Sequence, residues 1–193
     1  MTVEIHPRRL QGPWDAGFAL DIHTTGSTFL GNDQYGRPRF DTKRSPLGEL
    51  LYRLKYKLDQ TTIDPIVETV AAFLGAHHSP IDAIVPVPPS NVRTKQPVTL
   101  IANALSRRLA IPVCTTCVSK IRRTPPLKDI TEYHKRVEAL RGAFRVSRED
   151  THGKSLLLFD DLYGSGATVS GIAEILKREG GAKAVYLLTL TRK

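Results

Sequence analysis

Asp160 and Asp161 end the apolar run "KSLLLF", and the loop "LYGSGA" that follows carries two glycines and a serine before Thr168. Adjacent carboxylates at the end of a buried strand are costly unless a ligand or a cation uses them. Gly164 and Gly166 let backbone approach a ligand closely, and "ATVSGIAEIL" reads as a helix that starts at the loop. Such a loop aims several N–H groups at one anion, with the helix dipole behind them. Ser165 and Thr168 add hydroxyl donors. The carboxylates cannot serve that anion. They suit sugar hydroxyls, which donate hydrogen bonds, or a Mg²⁺ held through water. Phosphate, ribose and magnesium in one place describe a phosphorylated sugar ligand.

Competing motifs fail on spacing. "LLLFDD" has the look of a Walker B strand and "HGKS" of the end of a Walker A loop, but the required first glycine falls on Arg148. A dinucleotide fingerprint opened by Gly164 and Gly166 needs its third glycine where Val169 stands.

The surrounding elements are those that position such a loop. "SPLGELLYRLKYKLD" has Ser45 as N-cap and Pro46 at the first helical position, with Leu47, Leu50, Leu51 and Leu54 at helical spacing. "DPIVETVAAFLGAHH" repeats the pattern, with Asp64 as the cap and His77 and His78 at the helix end, where the helix dipole accounts for them better than a metal does. Residues 14–40 read as short strands and turns. From about residue 80 strands and helices alternate: "IDAIVPVP", "QPVTLIANALSRRLA", "PVCTTCVSKI", "GAFRV", "KSLLLFDD", "ATVSGIAEILKREGG" and "KAVYLLTLT". That rhythm predicts an α/β fold with a mostly parallel sheet flanked by helices.

The chain has 193 residues, 40% hydrophobic and 24% charged, enough for one domain with a proper core. No apolar run approaches a membrane span and the start has no apolar signal region, so a cytoplasmic protein without membrane contact is expected. The net charge of +9 points to an anionic partner, with nucleic acid among the classes it allows. The C-x-x-C spacing of Cys114 and Cys117 invites a zinc or redox reading, but zinc needs two further ligands and there is no second cysteine pair. Read as strand residues they point to opposite faces and are two small buried side chains.

"LLLFDDLYGSGAT" resembles the phosphoribosyl pyrophosphate (PRPP) signature of type I phosphoribosyltransferases. With "YRLKYKLD", "IVPVPPS", "LRGAF" and "VYLLTLTRK" in order, residues 45–193 look like the ComF-like branch, also described as predicted amidophosphoribosyltransferases. The resemblance implies a single phosphoribosyltransferase domain over 1–193, with 1–78 as hood and lead-in helices and 79–193 as PRPP-binding core. It implies that Tyr163, Gly164, Ser165, Gly166, Ala167 and Thr168 hold the 5′-phosphate. Asp160 and Asp161 would hold the ribose hydroxyls and Mg²⁺, directly or through water, and stabilise positive charge on the sugar during transfer. Pro88, Pro89, Ser90 and Arg93 would form the pyrophosphate side, joined by Arg122 and Arg136 from a mobile loop that closes over PRPP. The chain reads "RTKQP" where ComF proteins commonly have "RGFNQ", has Leu127 and Ala139 at a usual Gln and Asn, and lacks the four-cysteine zinc module.

Three functions follow. The first is transfer of phosphoribose from PRPP to a base or amine with release of pyrophosphate. The second is a sensor of PRPP or nucleotide without turnover, and the third an accessory that binds single-stranded DNA. Aromatic residues at 7% give no stacking pattern that favours the third. The acceptor and the general base stay open, as does the oligomeric state, with a dimer plausible. Lys55 and Tyr56 read at least as well as helix surface, and His23 as a structural histidine.

Overall fold

The leucine-rich run Ser155–Phe159 is buried along its whole length, which requires cover on both faces of its strand. In the computed structural model, which describes residues 1–77, 80–89 and 96–193, that strand is central. The elements in chain order are β1 (Arg8–Arg9), β2 (Ala16–Ile22), β3 (Thr24–Asn32), β4 (Pro38–Arg44), α1 (Pro46–Lys57) and α2 (Ile63–His77). Then come β5 (Ala83–Pro86), α3 (Pro97–Leu109), β6 (Val118–Lys120), α4 (Tyr133–Leu140), β7 (Phe144–Val146) and α5 (Arg148–Thr151). The chain ends with β8 (Ser155–Tyr163), α6 (Ala167–Arg178) and β9 (Ala184–Arg192).

The main sheet has the order β1-β2-β9-β8-β5. β2, β9, β8 and β5 run parallel and β1 is an antiparallel edge, so the α/β sheet expected from the alternation is the one that forms. Register aligns Ala19, Thr189 and Asp160 across three strands, and Asp21, Thr191 and Leu162 one step further. One face packs Leu157, Phe159 and Leu188 against α1, α2 and α3 through Leu51, Ile66 and Ile101. The other packs Leu156, Leu158 and Leu187 against α6 through Ile172 and Leu176, with Trp14 alongside. β3 and β4 form a separate hairpin whose facing Phe29 and Phe40 are exposed.

Ser45 caps α1 as expected: its Oγ accepts from the Gly48 N–H at 3.0 Å and donates to the Ile22 carbonyl. A side chain on Gly48 would meet the His23 carbonyl at 2.4 Å, so only glycine lets α1 dock against the end of β2. α2 departs from expectation. Asp64 lies inside its first turn, and the capping is done by Asp59, whose Oδ1 accepts from the Thr61 N–H at 3.1 Å ahead of the 3₁₀ turn Gln60–Thr62.

The segment around the cysteines also departs. The strand covers only Val118–Lys120, preceded by a lone bridge between Val113 and Ile84. Between them the chain turns, and Cys114 and Cys117 are joined by a disulfide instead of pointing apart. The Cys117 N–H donates to Cys114 Sγ at 3.0 Å, which is turn geometry and not strand geometry.

Candidate active site

Open parallel sheets leave their binding crevice beyond the carboxyl ends of the strands. β8 delivers Asp160 and Asp161 to that end, and only residues 164–166 separate it from α6. The N–H groups of Gly164, Ser165 and Gly166 have no protein partner among the described residues, so they are available to an anion. Ser165 Oγ is turned toward the Ala167 N–H at 3.5 Å. Thr168 stands in the first turn of the helix, half-buried.

Gly166 holds the loop in shape. Its φ is +79°, and a Cβ there would lie 2.4 Å from Tyr163 Oη. The Tyr163 ring in turn meets Trp14 edge-on, with centroids 6.4 Å apart. Gly166→Ala is expected to lower stability by about 1–2 kcal/mol for the left-handed backbone alone, before the Tyr163 contact is counted. Gly164 has open space and no positive φ, so Gly164→Ala is expected to melt near the wild-type temperature. Thermal unfolding of the two variants side by side checks the contrast, and equal melting temperatures would refute it.

Strand alternation sends the two acids to opposite faces. Asp161 points to the α1 side and pairs with Lys55 Nζ at 2.9 Å, the two side chains being 15% and 19% exposed. Asp160 points to the α6 side and accepts the Asp161 N–H at 2.8 Å on Oδ1. Burial, with the Asp161 charge added to it, pushes the Asp160 carboxyl up to about 8. Lys55 and the Asp161 N–H act in the opposite sense without offsetting this. At neutral pH this favours the protonated form of Asp160.

Lys55, for which the sequence left both helix surface and ligand contact open, is paired with Asp161 in the fold. The signal was its place on the rim of the buried stripe of α1, next to Leu54 and four residues after Leu51. Thr191 was missed altogether, because its role depends on a strand register: its hydroxyl donates to the Asp161 carbonyl at 3.2 Å and contacts His23 Nδ1 at 3.1 Å. Pro88 and Pro89 follow β5, with the Val87 N–H donating to the Phe159 carbonyl at 2.9 Å, which fixes this turn beside β8. Ser90 and Arg93 lie outside the described residues.

Arg122 and Arg136 are not brought to the carboxylates. Arg122 Nη2 donates to the carbonyls of Ala139 and Arg141 at 2.9 and 2.7 Å, and Arg136 Nε donates to the Ile130 carbonyl. Both arginines fold the 121–141 segment onto itself, and α4 forms within it. Among the described residues no group of three or more His, Cys, Asp or Glu is placed to hold a metal. Two carboxylates fit a Mg²⁺ that keeps most of its waters and takes further oxygens from a phosphorylated substrate, not a cage built by protein alone.

No helix among the described residues is long and apolar enough to cross a membrane. No protein-family model matches the chain, and no curated protein sequence does. Solved structures resemble it at low identity. An adenine phosphoribosyltransferase from Saccharomyces cerevisiae, complexed with D-DIAB and adenine, is 13% identical over 85% of this chain and 83% of that one, with a TM-score of 0.48. An APRTase from Giardia lamblia complexed with 9-deazaadenine is 16% identical over 86% and 81%, with a TM-score of 0.48. The allosteric regulatory enzyme of purine biosynthesis is 16% identical over 90% of this chain and 37% of that one, with a TM-score of 0.46.

Proposed function

We propose that the protein binds PRPP with Mg²⁺ and transfers its phosphoribosyl group to a base or amine, releasing pyrophosphate. The observation that carries this reading is the direct junction of an acid pair, Asp160 and Asp161, with a loop at the start of α6 whose N–H groups have no protein partner among the described residues. The loop from Tyr163 to Thr168 takes the 5′-phosphate, and the carboxylates take the ribose hydroxyls. The turn through Pro88 and Pro89 borders the pyrophosphate.

Asp160 and Asp161 would hold the Mg²⁺, which when bound offsets the negative charge of the departing pyrophosphate. As the C1–oxygen bond to pyrophosphate breaks, positive charge develops on the sugar ring, and ionised carboxylates beside it stabilise that charge. Asp160 must lose its proton to take part, so ligand binding releases a proton near neutral pH. Arg122 and Arg136 would reach the pyrophosphate by a movement of the 121–141 segment toward the acid pair, a closure that would also exclude water.

Calorimetric titration of PRPP, with and without Mg²⁺, tests the reading on wild type and on a double Asp160→Asn, Asp161→Asn variant. The expected result is metal-dependent binding to wild type, an enthalpy that varies with the ionisation heat of the buffer, and no binding to the variant. A folded wild type that binds no PRPP would overturn it.

A further inference from the structure

His23 directly follows β2, at the carboxyl end of the sheet, on the β9 and β2 side of the acid pair. Its Nδ1 lies 3.1 Å from Thr191 Oγ1, and the Thr191 hydroxyl donates to the Asp161 carbonyl at 3.2 Å. A hydroxyl has one proton to give. With the Thr191 hydroxyl donating to the Asp161 carbonyl, the imidazole is the donor in the contact with His23. That places the ring proton on Nδ1 and leaves the lone pair on Nε2, which has no partner among the described residues while the ring stays half-exposed.

The groups around the ring keep it neutral. Burial lowers its affinity for a second proton below the ordinary 6.5, and the charges of Lys55 and Arg44 add to this, against Asp161 and Glu49. Arg44 is itself held over the Tyr52 ring and on Glu49 at 3.3 Å, and Lys55 on Asp161. The two cations that face His23 are therefore fixed in place.

Position supplies the rest. The turn after β5 lies on one flank of β8, while β9, β2 and His23 lie on the other. Displacement at C1 with the pyrophosphate leaving toward β5 brings the nucleophile in from the flank where His23 stands. We propose that His23 Nε2 is the proton acceptor for the incoming nucleophile, and that the acceptor is a nitrogen that sheds a proton as it bonds to the sugar. This assignment rests on the transferase reading above.

The step balances. The nitrogen–C1 bond forms, the C1–oxygen bond breaks with its electron pair leaving on pyrophosphate, and the proton of the nitrogen passes to Nε2 and then to solvent. An acceptor of this class is an amine or the N–H of a heterocycle. A pyridine-type nitrogen, which carries no proton, has no use for such a base.

Two measurements decide it. Long-range ¹H–¹⁵N NMR of the full chain at pH 7 is expected to show a neutral His23 protonated on Nδ1. A ring protonated on Nε2, or on both nitrogens, overturns the assignment without any acceptor being known. Pyrophosphate release is then followed with PRPP, Mg²⁺ and, in turn, ammonia, adenine, hypoxanthine and uracil as acceptor probes. His23→Gln is expected to lose turnover by about a hundredfold or more while PRPP affinity stays within about threefold, and added imidazole is expected to restore part of the activity of His23→Ala. The acid limb of the wild-type rate profile should also disappear in His23→Gln. Unchanged turnover in His23→Gln overturns the role of His23 and leaves the transferase reading standing. A wild type that binds no PRPP in the calorimeter overturns that reading, and this one with it.

Discussion

Trp14→Ala is expected to cost about 3–5 kcal/mol of stability and, in the same variant, to weaken PRPP binding at a loop the indole does not line. Trp14 is only 6% exposed and packs with Leu156, Leu158 and Leu187 on the α6 face. Its Nε1 donates to the Leu10 carbonyl at 2.9 Å. A Cβ on Gly17 would stand 2.2 Å from the indole Nε1, so β2 has been left bare at that position to seat the ring. Removing the indole opens a void against three strands and leaves a carbonyl without its donor, and both effects carry a cost. The coupling to the loop runs through one contact: the Trp14 edge meets Tyr163, and Tyr163 Oη lies where a side chain on Gly166 would be. Without the indole Tyr163 can rotate, and the turn through Gly164 and Ser165 loses its backing. Urea unfolding measures the first effect, and a melting temperature lower by roughly 10 °C is the expected size. PRPP titration measures the second. Trp14→Phe keeps a ring against Tyr163 while giving up the bond to Leu10, so it should lose stability yet retain more of the affinity. Equal PRPP affinity in Trp14→Ala and wild type would reduce Trp14 to a core residue with no part in the site.

Trp14 and the strand that seats it also lie beyond what local sequence carries. β8 and its loop were legible because a strand covered on both faces has no polar alternation, and because glycine spacing is local. Ser45 with Pro46 was legible for the same reason: a cap is decided within four residues. β2 was not. "AGFALDI" reads with the hood segment, yet it adds to the main sheet beside β9, and its Asp15 anchor accepts from the Val185 N–H at 2.8 Å across 170 residues. A pairing that distant leaves no trace in a local window. The contacts that Lys55, Thr191 and His23 make at the end of β8 are equally hidden in the sequence, since each joins residues distant along the chain. α4 was passed over because "YHKRVEAL" buries only Leu140, so its apolar stripe is too thin to stand out from a polar loop. The cysteine turn was mistaken for strand because "PVCTTCV" is rich in β-branched residues, and propensity alone does not register a covalent closure.

The acid pair makes the sharpest prediction, because one substitution should raise stability and abolish binding together. Asp160 is held neutral well above its ordinary range, at about 8 instead of 3.8, by burial first and by the Asp161 charge second. Between those two values the folded protein keeps a proton that the unfolded chain has released, so wild-type stability falls as pH rises through that window. Below it the carboxyl is neutral in both states, and above it the charged form is buried at full cost. Asparagine at 160 has the same shape, can still accept the Asp161 N–H on its carbonyl oxygen, and carries no charge to bury. Part of Asp160 stays in contact with water, which screens its charge, so the gain is smaller than the full shift would give: about 2 kcal/mol at pH 8. Asp160→Asn should then melt roughly 4–8 °C higher at pH 8, and the margin should shrink steadily toward pH 4. Unfolding at pH 5, 6.5 and 8 reads this directly. A margin that does not change with pH, or a variant that is less stable at pH 8, would mean that Asp160 is not held neutral in the fold. A stabilised variant that no longer takes up PRPP with Mg²⁺ is what a functional carboxylate predicts, since a residue that costs the fold stability is then needed only for binding.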